Sequence, residues 1–207
     1  MQTTTRKLWA DQNRHDGDRM RLFAAVRAEV GGETVLYPGS FVDVAPSVVF
    51  PLVTYVETDR RTPGFFADRD GIIEIVTSSG GPANADFQFI HADYQEPLDL
   101  PAQSFDLLVS LYAGFVSEHC TDYLKIGGRL LVAPSHGDVA MASIDSRYEL
   151  SGVVVPRNGD YRVRTESLET YLEPKSPVEI TPAMLHERGR GIAYTKSPFA
   201  YLFTRVC

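Results

Sequence analysis

A histidine two residues ahead of an aspartate, in Ser135-His136-Gly137-Asp138, directly follows the apolar run Arg129 to Ala133. Imidazole titrates near neutrality, so His136 can act as a general base toward an acceptor, and Asp138 can orient it or take the proton itself. The plainer assignment, and the preferred one, makes Asp138 a helix cap and His136 a solvated loop residue. Other candidates carry less. Arg157, Arg162, Arg164, Arg188 and Arg190 offer forks for a carboxylate or phosphate, but they lie in a charged, proline-rich stretch that reads first as solvated loop. His119 reads as a structural or surface residue, His91 at a strand end reads as partly buried and lacks partners for a metal, and His15 and His186 point to no role. Cys120 and Cys207 have no spacing that suggests a metal site or redox pair.

Such groups need elements to hold them. Residues 18 to 30 read as an amphipathic helix with Met20, Phe23 and Ala24 on one face and Val26 and Val30 close by, ended by Gly31-Gly32. Thr34 to Tyr37 is a first strand, turned sharply by Pro38-Gly39-Ser40. Asp43 can cap a short helix with Pro46 in its first turn and Pro51 beyond its end. Val53 to Val56 is a second strand running into Glu57-Thr58-Asp59. Thr62-Pro63 opens a helical region through Ile75, bent near Asp70-Gly71. Phe87 to His91 and Phe105 to Ser110 are the third and fourth strands. Ala113 to Ile126 reads as a helix, with Val116, Cys120, Tyr123 and Leu124 on one face and Gly127-Gly128 at its end, and Arg129 to Ala133 is the fifth strand. Short apolar strands without alternation, interleaved with helices, indicate a parallel sheet buried on both faces. After Ala140, Tyr148 to Val155 and Ala200 to Val206 read as two final strands. Between them, 156–190 reads as an insertion holding one short helix near Pro182 to Glu187 with Thr181 as cap.

The chain has 207 residues and 43% apolar composition, which suits one domain with one core. Within it, 1–30 is an N-terminal helical segment and 31–140 the ligand-binding core. Twenty basic against twenty-seven acidic residues give a net charge of −7, which disfavours nonspecific nucleic-acid binding. Two unpaired cysteines, no apolar run of signal-peptide length and none of membrane-spanning length suggest a cytoplasmic protein without membrane partners.

A glycine turn after the first strand, an acidic end to the second, an aspartate past the third, and SFDLLVS followed by YLKIGGRLLVA together resemble class I S-adenosylmethionine-dependent methyltransferases over roughly residues 30 to 140. The resemblance implies a Rossmann-like, three-layer α/β/α fold whose mostly parallel sheet has seven strands, the last antiparallel and beside the sixth. It implies S-adenosylmethionine as cofactor and its demethylated form, S-adenosylhomocysteine, as product. By position, Tyr37, Gly39 and Ser40 form the turn under the cofactor, Glu57 (with Thr58 beside it and Asp59 as alternate) accepts from the ribose, Asp93 and Tyr94 meet the adenine, and Ser110 and Leu111 lie under the methionine part. Tyr112, after the fourth strand, stands where an acceptor is often faced and joins His136 and Asp138 as a catalytic candidate.

The chain also departs from the pattern. Tyr37 or Pro38 replaces an acid at the end of the first strand, and Phe41 replaces a second glycine. Ser110-Leu111-Tyr112-Ala113 replaces the Asp/Asn-Pro-Pro-aromatic run of enzymes that methylate base amino groups, which argues against that acceptor. The leading expectation is methyl transfer to a small molecule or protein side chain. A non-catalytic binding module on the same fold is the alternative. A nicotinamide oxidoreductase ranks last, because Gly-x-Gly-x-x-Gly is absent after the first strand.

Overall fold

A computed structural model describes residues 1–207. Two helices, α1 (Thr3–Gln12) and α2 (Asp18–Val30), precede the first strand, β1 (Thr34–Pro38). Leu22, Phe23 and Val26 recur at helical spacing in α2 and are fully buried, while Ala24, expected on the same face, points to solvent. Full burial of a side chain such as Phe23 contributes roughly 2–3 kcal/mol. Gly31 ends the helix with φ +65°. The short α3 (Pro46–Val49) starts on its proline, β2 (Leu52–Val56) follows, and the next helical region splits into α4 (Thr62–Ala67) and α5 (Arg69–Ser78). The break falls at Asp68 rather than at Asp70-Gly71. The Asp68 carboxylate caps α5 by accepting the Gly71 amide at 3.2 Å and also accepts the Gln2 amide at 2.6 Å, tying α1 to the joint.

β3 (Asp86–Ile90) and β4 (Phe105–Ser110) match expectation closely. The helix expected over 113–126 is much shorter. α6 (Val116–Cys120) tightens into a single 3-10 turn, Thr121–Tyr123, and β5 (Leu124–Val132) begins at once. Leu124 pairs with Phe105 in the sheet, and the register then shifts through Gly127-Gly128 to pair Arg129 with Leu107. α7 (Asp138–Ile144) leads to β6 (Tyr148–Arg157), β7 (Asp160–Arg164), α8 (Pro182–Arg188) and β8 (Ala200–Arg205). Thr181 caps α8 as expected, its hydroxyl accepting the Met184 amide at 3.2 Å.

The sheet has eight strands in the order β3-β2-β1-β4-β5-β8-β6-β7. β1 to β5 are parallel, and β8 lies antiparallel between β5 and β6. Seven strands were expected. The eighth, β7, pairs antiparallel with β6 across Asn158-Gly159, both at positive φ (52° and 82°), a two-residue hairpin turn of the primed type. The segment 156–190 therefore begins as part of the sheet. Successive residues face opposite ways: Val35 and Tyr37 join Phe23 and Phe65 on one face, while Leu36 and Leu108 join Val116, Cys120 and Val139 on the other. Helices cover both faces, making three layers. No helix is long and apolar enough to cross a membrane.

Candidate functional site

The turn after β1 is built around two positive-φ residues. Gly39 has φ +62°, and a Cβ there would stand 2.4 Å from the Cβ of Ala113. Glycine is thus required both by conformation and by the close approach of the β4 loop. Phe41, at the second-glycine position, keeps the left-handed backbone (φ +48°) with a full side chain, which costs of order 1–2 kcal/mol. Its ring lies under the Arg61 guanidinium, 4.5 Å from centroid to Cζ. Ser40 is buried.

Tyr37, in place of an acid at the end of β1, is buried and donates to Asp43 Oδ2 at 3.1 Å. Asp43 is itself buried, and its Oδ1 accepts the Ala45 amide at 3.2 Å. Burial pushes both the Tyr37 phenol and the Asp43 carboxyl upward in pKa. The nearest cation is Arg19 of α2, with Nε 3.6 Å from Asp43 Oδ2 and its guanidinium 5.2 Å from the centre of the Tyr112 ring. Arg19 Nη1 is buried without a hydrogen-bond partner.

Glu57 ends β2 as expected, but its carboxylate is already engaged. Oε2 accepts the Phe41 amide at 2.8 Å, and Oε1 accepts the amides of Thr58 at 2.7 Å and Asp59 at 3.1 Å. A carboxylate offers about four acceptor sites, so one, on Oε2, remains for a hydroxyl rather than the two expected. Asp59 is bound by the Arg61 guanidinium at 2.9 and 2.7 Å, which lowers its pKa to about 2.

Asp93 is exposed and accepts the Gln95 amide at 2.9 Å, closing a turn past β3. Tyr94 donates to the Ala113 carbonyl. His91 Nε2 stands 3.1 Å from the Thr58 carbonyl and links the ends of β2 and β3.

Asp138 does not orient His136. It is fully buried, with Ser110 Oγ 2.5 Å from Oδ2, Ser117 Oγ 2.5 Å from Oδ1 and the Ser117 amide 3.2 Å from both. It therefore caps α6, not its own helix, and clamps α6 and α7 to the end of β4. Burial raises its pKa to about 6, against the opposing pull of the two serines. His136 is exposed, its Nδ1 2.7 Å from Ser135 Oγ, and its ring packs edge-on to Tyr112 at 6.3 Å. Tyr112 is 54% exposed and adopts φ +67°, a second non-glycine outlier beside the same opening.

A cavity of about 400 Å³ opens between these parts, lined by Tyr37, Gly39, Ser40, Glu57, Leu111 and Tyr112 together with Gln12, Arg19, Phe41 and Asp59. Of the expected site residues, Thr58, Asp93, Tyr94, Ser110, His136 and Asp138 do not line it. Arg19 went unnoticed in the sequence, although it shares the stripe of Leu22, Phe23 and Val26, where an arginine is unusual. The cavity sits at the carboxyl ends of the strands, where β1 and β4 part and the strand order reverses, the usual ligand position in open α/β sheets. Another hollow of about 300 Å³ lies at the amino ends of β2 and β3, between Leu52, Thr54, Phe87 and Leu100. Asp86 is the one ionisable residue there, and that end of a parallel sheet is not where such folds bind ligands.

A sheet ordered 3-2-1-4-5, continued by an antiparallel strand between β5 and β6 and covered on both faces by helices, is the Rossmann-like fold of class I methyltransferases. Solved structures of similar shape include a protein described as an S-adenosyl-L-methionine-dependent methyltransferase from Methanococcus maripaludis, at 12% identity, TM-score 0.47, covering 63% of this chain and 61% of that one. The O-methyltransferase TomG from Streptomyces achromogenes, involved in tomaymycin synthesis and solved with S-adenosylmethionine, matches at 11% identity and TM-score 0.47 over 79% of this chain and 87% of its own. The [4+2]-cyclase SpnF matches at 20% identity and TM-score 0.42 over 57% of this chain and 45% of its own. No family model and no curated protein sequence matches the chain.

Proposed function

We propose that the chain is an S-adenosylmethionine-dependent methyltransferase acting on a small molecule or a protein side chain, with the cofactor in the cavity beside Gly39. The observation that carries this is the convergence, on one cavity at the strand-order reversal, of the Gly39 turn, the Glu57 carboxylate and the Leu111-Tyr112 segment. About 400 Å³ falls within the range of small-molecule pockets. Gly39 allows backbone to approach the ligand, Glu57 Oε2 retains one acceptor site for a ribose hydroxyl, and Leu111 supplies an apolar floor. When bound, the cofactor's sulfonium supplies the reactivity. The protein's own part is to align the acceptor and exclude water. Tyr112 lines the cavity, and the exposed His136 packs edge-on against it from outside the lining, which puts both within reach of an acceptor on that side. His136 is the base of choice for an acceptor that must lose a proton, since Asp138 is buried in its serine clamp. The net charge of −7 favours a non-nucleic-acid acceptor. The two free cysteines fit a reducing cytoplasm.

A non-catalytic binding module is the second reading. Phe41 at the second-glycine position and a His136 without a carboxylate to orient it favour it. Isothermal titration with S-adenosylmethionine and S-adenosylhomocysteine tests the first step common to both: saturable binding and a raised melting temperature are expected. Absence of heat and of thermal shift at millimolar ligand would remove the cofactor from the reading. Methyl transfer to a panel of hydroxyl, thiol, amine and peptide acceptors then separates enzyme from module.

A further inference from the structure

We infer that Arg19 recognises the ligand's free carboxylate and so selects adenosyl compounds that carry an amino-acid tail over those that have lost it. This rests on the adenosyl reading of the cavity and goes beyond it by naming a chemical selector. The position of Arg19 is the first sign. It occupies the apolar face of α2, one turn ahead of Leu22 and Phe23, and its side chain is 19% exposed. A guanidinium taken that far from water needs partners. The protein supplies them incompletely. Asp43 is 3.6 Å away, beyond a hydrogen bond, and its two oxygens already accept the Tyr37 hydroxyl and the Ala45 amide. Arg19 Nη1 is buried and unpartnered. The Tyr112 ring, 5.2 Å off, steadies the guanidinium against the cavity wall without accepting a hydrogen bond along its edge.

Arg19 lines the same cavity as Gly39 and Glu57. The acids of that cavity, Glu57 and Asp59, stand at the end of β2 and are held by their own partners, which leaves Arg19, on α2, as the lining cation without a full set of acceptors. A ligand with a hydroxyl-bearing end and an anionic end matches this polarity. A carboxylate presents two oxygens to the guanidinium fork in one plane, which a lysine cannot reproduce.

The test compares two ligands on the whole protein by isothermal titration: S-adenosylhomocysteine, and S-adenosyl-3-thiopropylamine, which keeps the amine and lacks the carboxylate. Wild type is expected to bind the first at least ten-fold more tightly. Arg19→Lys keeps a positive charge opposite Asp43 and is expected to cut that preference at least five-fold by weakening S-adenosylhomocysteine alone, at an unchanged melting temperature. Equal affinity of wild type for both ligands, or full preference in Arg19→Lys, overturns the inference and leaves the adenosyl reading standing. Failure of wild type to bind either ligand overturns both. The wild-type comparison decides the matter even where the variant folds poorly.

Discussion

Glu57 Oε2 accepts the backbone N–H of Phe41 at 2.8 Å, so the carboxylate that closes β2 also grips the turn that follows β1. Hydrogen bonds to a charged acceptor are worth about 1.5–3 kcal/mol each. Partial exposure brings this contact to the low end of that range. Glu57→Ala is expected to lose about 2 kcal/mol in urea unfolding and at least ten-fold in S-adenosylhomocysteine affinity, while Glu57→Gln, which keeps one oxygen, loses less of both. A folded Glu57→Ala protein with wild-type affinity would remove Glu57 from the ligand site and leave it a loop staple.

Gly39 and Ala113 meet where the turn after β1 approaches the loop after β4. Gly39→Ala adds a methyl 2.4 Å from the Ala113 Cβ on a backbone at φ +62°. Left-handed strain of about 1–2 kcal/mol plus overpacking of about 1–3 kcal/mol is expected. Ala113→Gly in the same chain removes the overpacking and leaves the strain, so the double variant recovers part of the loss. Equal stability of the single and double variants, measured by chemical denaturation, would show that contact with Ala113 is not what demands glycine.

Phe41 holds a left-handed backbone that glycine adopts freely. Phe41→Gly relieves that strain but loses the ring's contact with Arg61, so its stability is expected within about 1 kcal/mol of wild type. The cavity wall also widens, and adenosyl affinity should rise. Weaker binding in calorimetry would instead make the ring part of the ligand's contact surface.

Asp138 gives a pH signature. Its folded-state pKa, raised to about 6 by burial, exceeds its unfolded value, so the native state binds more protons in between. The favourable contribution is complete below about pH 4 and is lost as pH rises through about 6, a change of roughly 3 kcal/mol for a shift of about two units. Asp138→Asn cannot titrate. Unfolding free energies measured at pH 4, 5, 6 and 7 should therefore show wild type losing ground to the variant as pH rises. A gap that stays constant over that range would rule out a raised Asp138 pKa.

Much of the scaffold is legible without coordinates. Residues apolar on both sides of a strand, as in Thr34-Val35-Leu36-Tyr37 and Phe105-Asp106-Leu107-Leu108-Val109, belong in a doubly covered parallel sheet, because each face must find a helix. The Asn158-Gly159 pair flanked by Val-Val-Val-Pro-Arg and Asp-Tyr-Arg-Val-Arg is also a plain hairpin signal, and reading the stretch as charged insertion hid β7. The misread helix after Ala113 has a different cause. Val116, Cys120, Tyr123 and Leu124 do share helical spacing, but Leu124 gains more by pairing with Phe105 in the sheet, and tertiary pairing overrides local periodicity.

By itself, then, the chain's chemistry determined the succession of strands along the sequence, the glycine turn after β1 and the acid at the end of β2. It could not determine which acids stay free. Glu57 is engaged by an amide 16 residues away and Asp138 by a serine 28 residues away, while Arg19 reaches Asp43 from a helix that precedes the sheet. Local pattern reports how each segment buries its apolar side. The availability of a charged group depends on donors that only the closed fold brings within 3 Å, because hydrogen bonding acts at contact range and contact between distant segments is what folding creates.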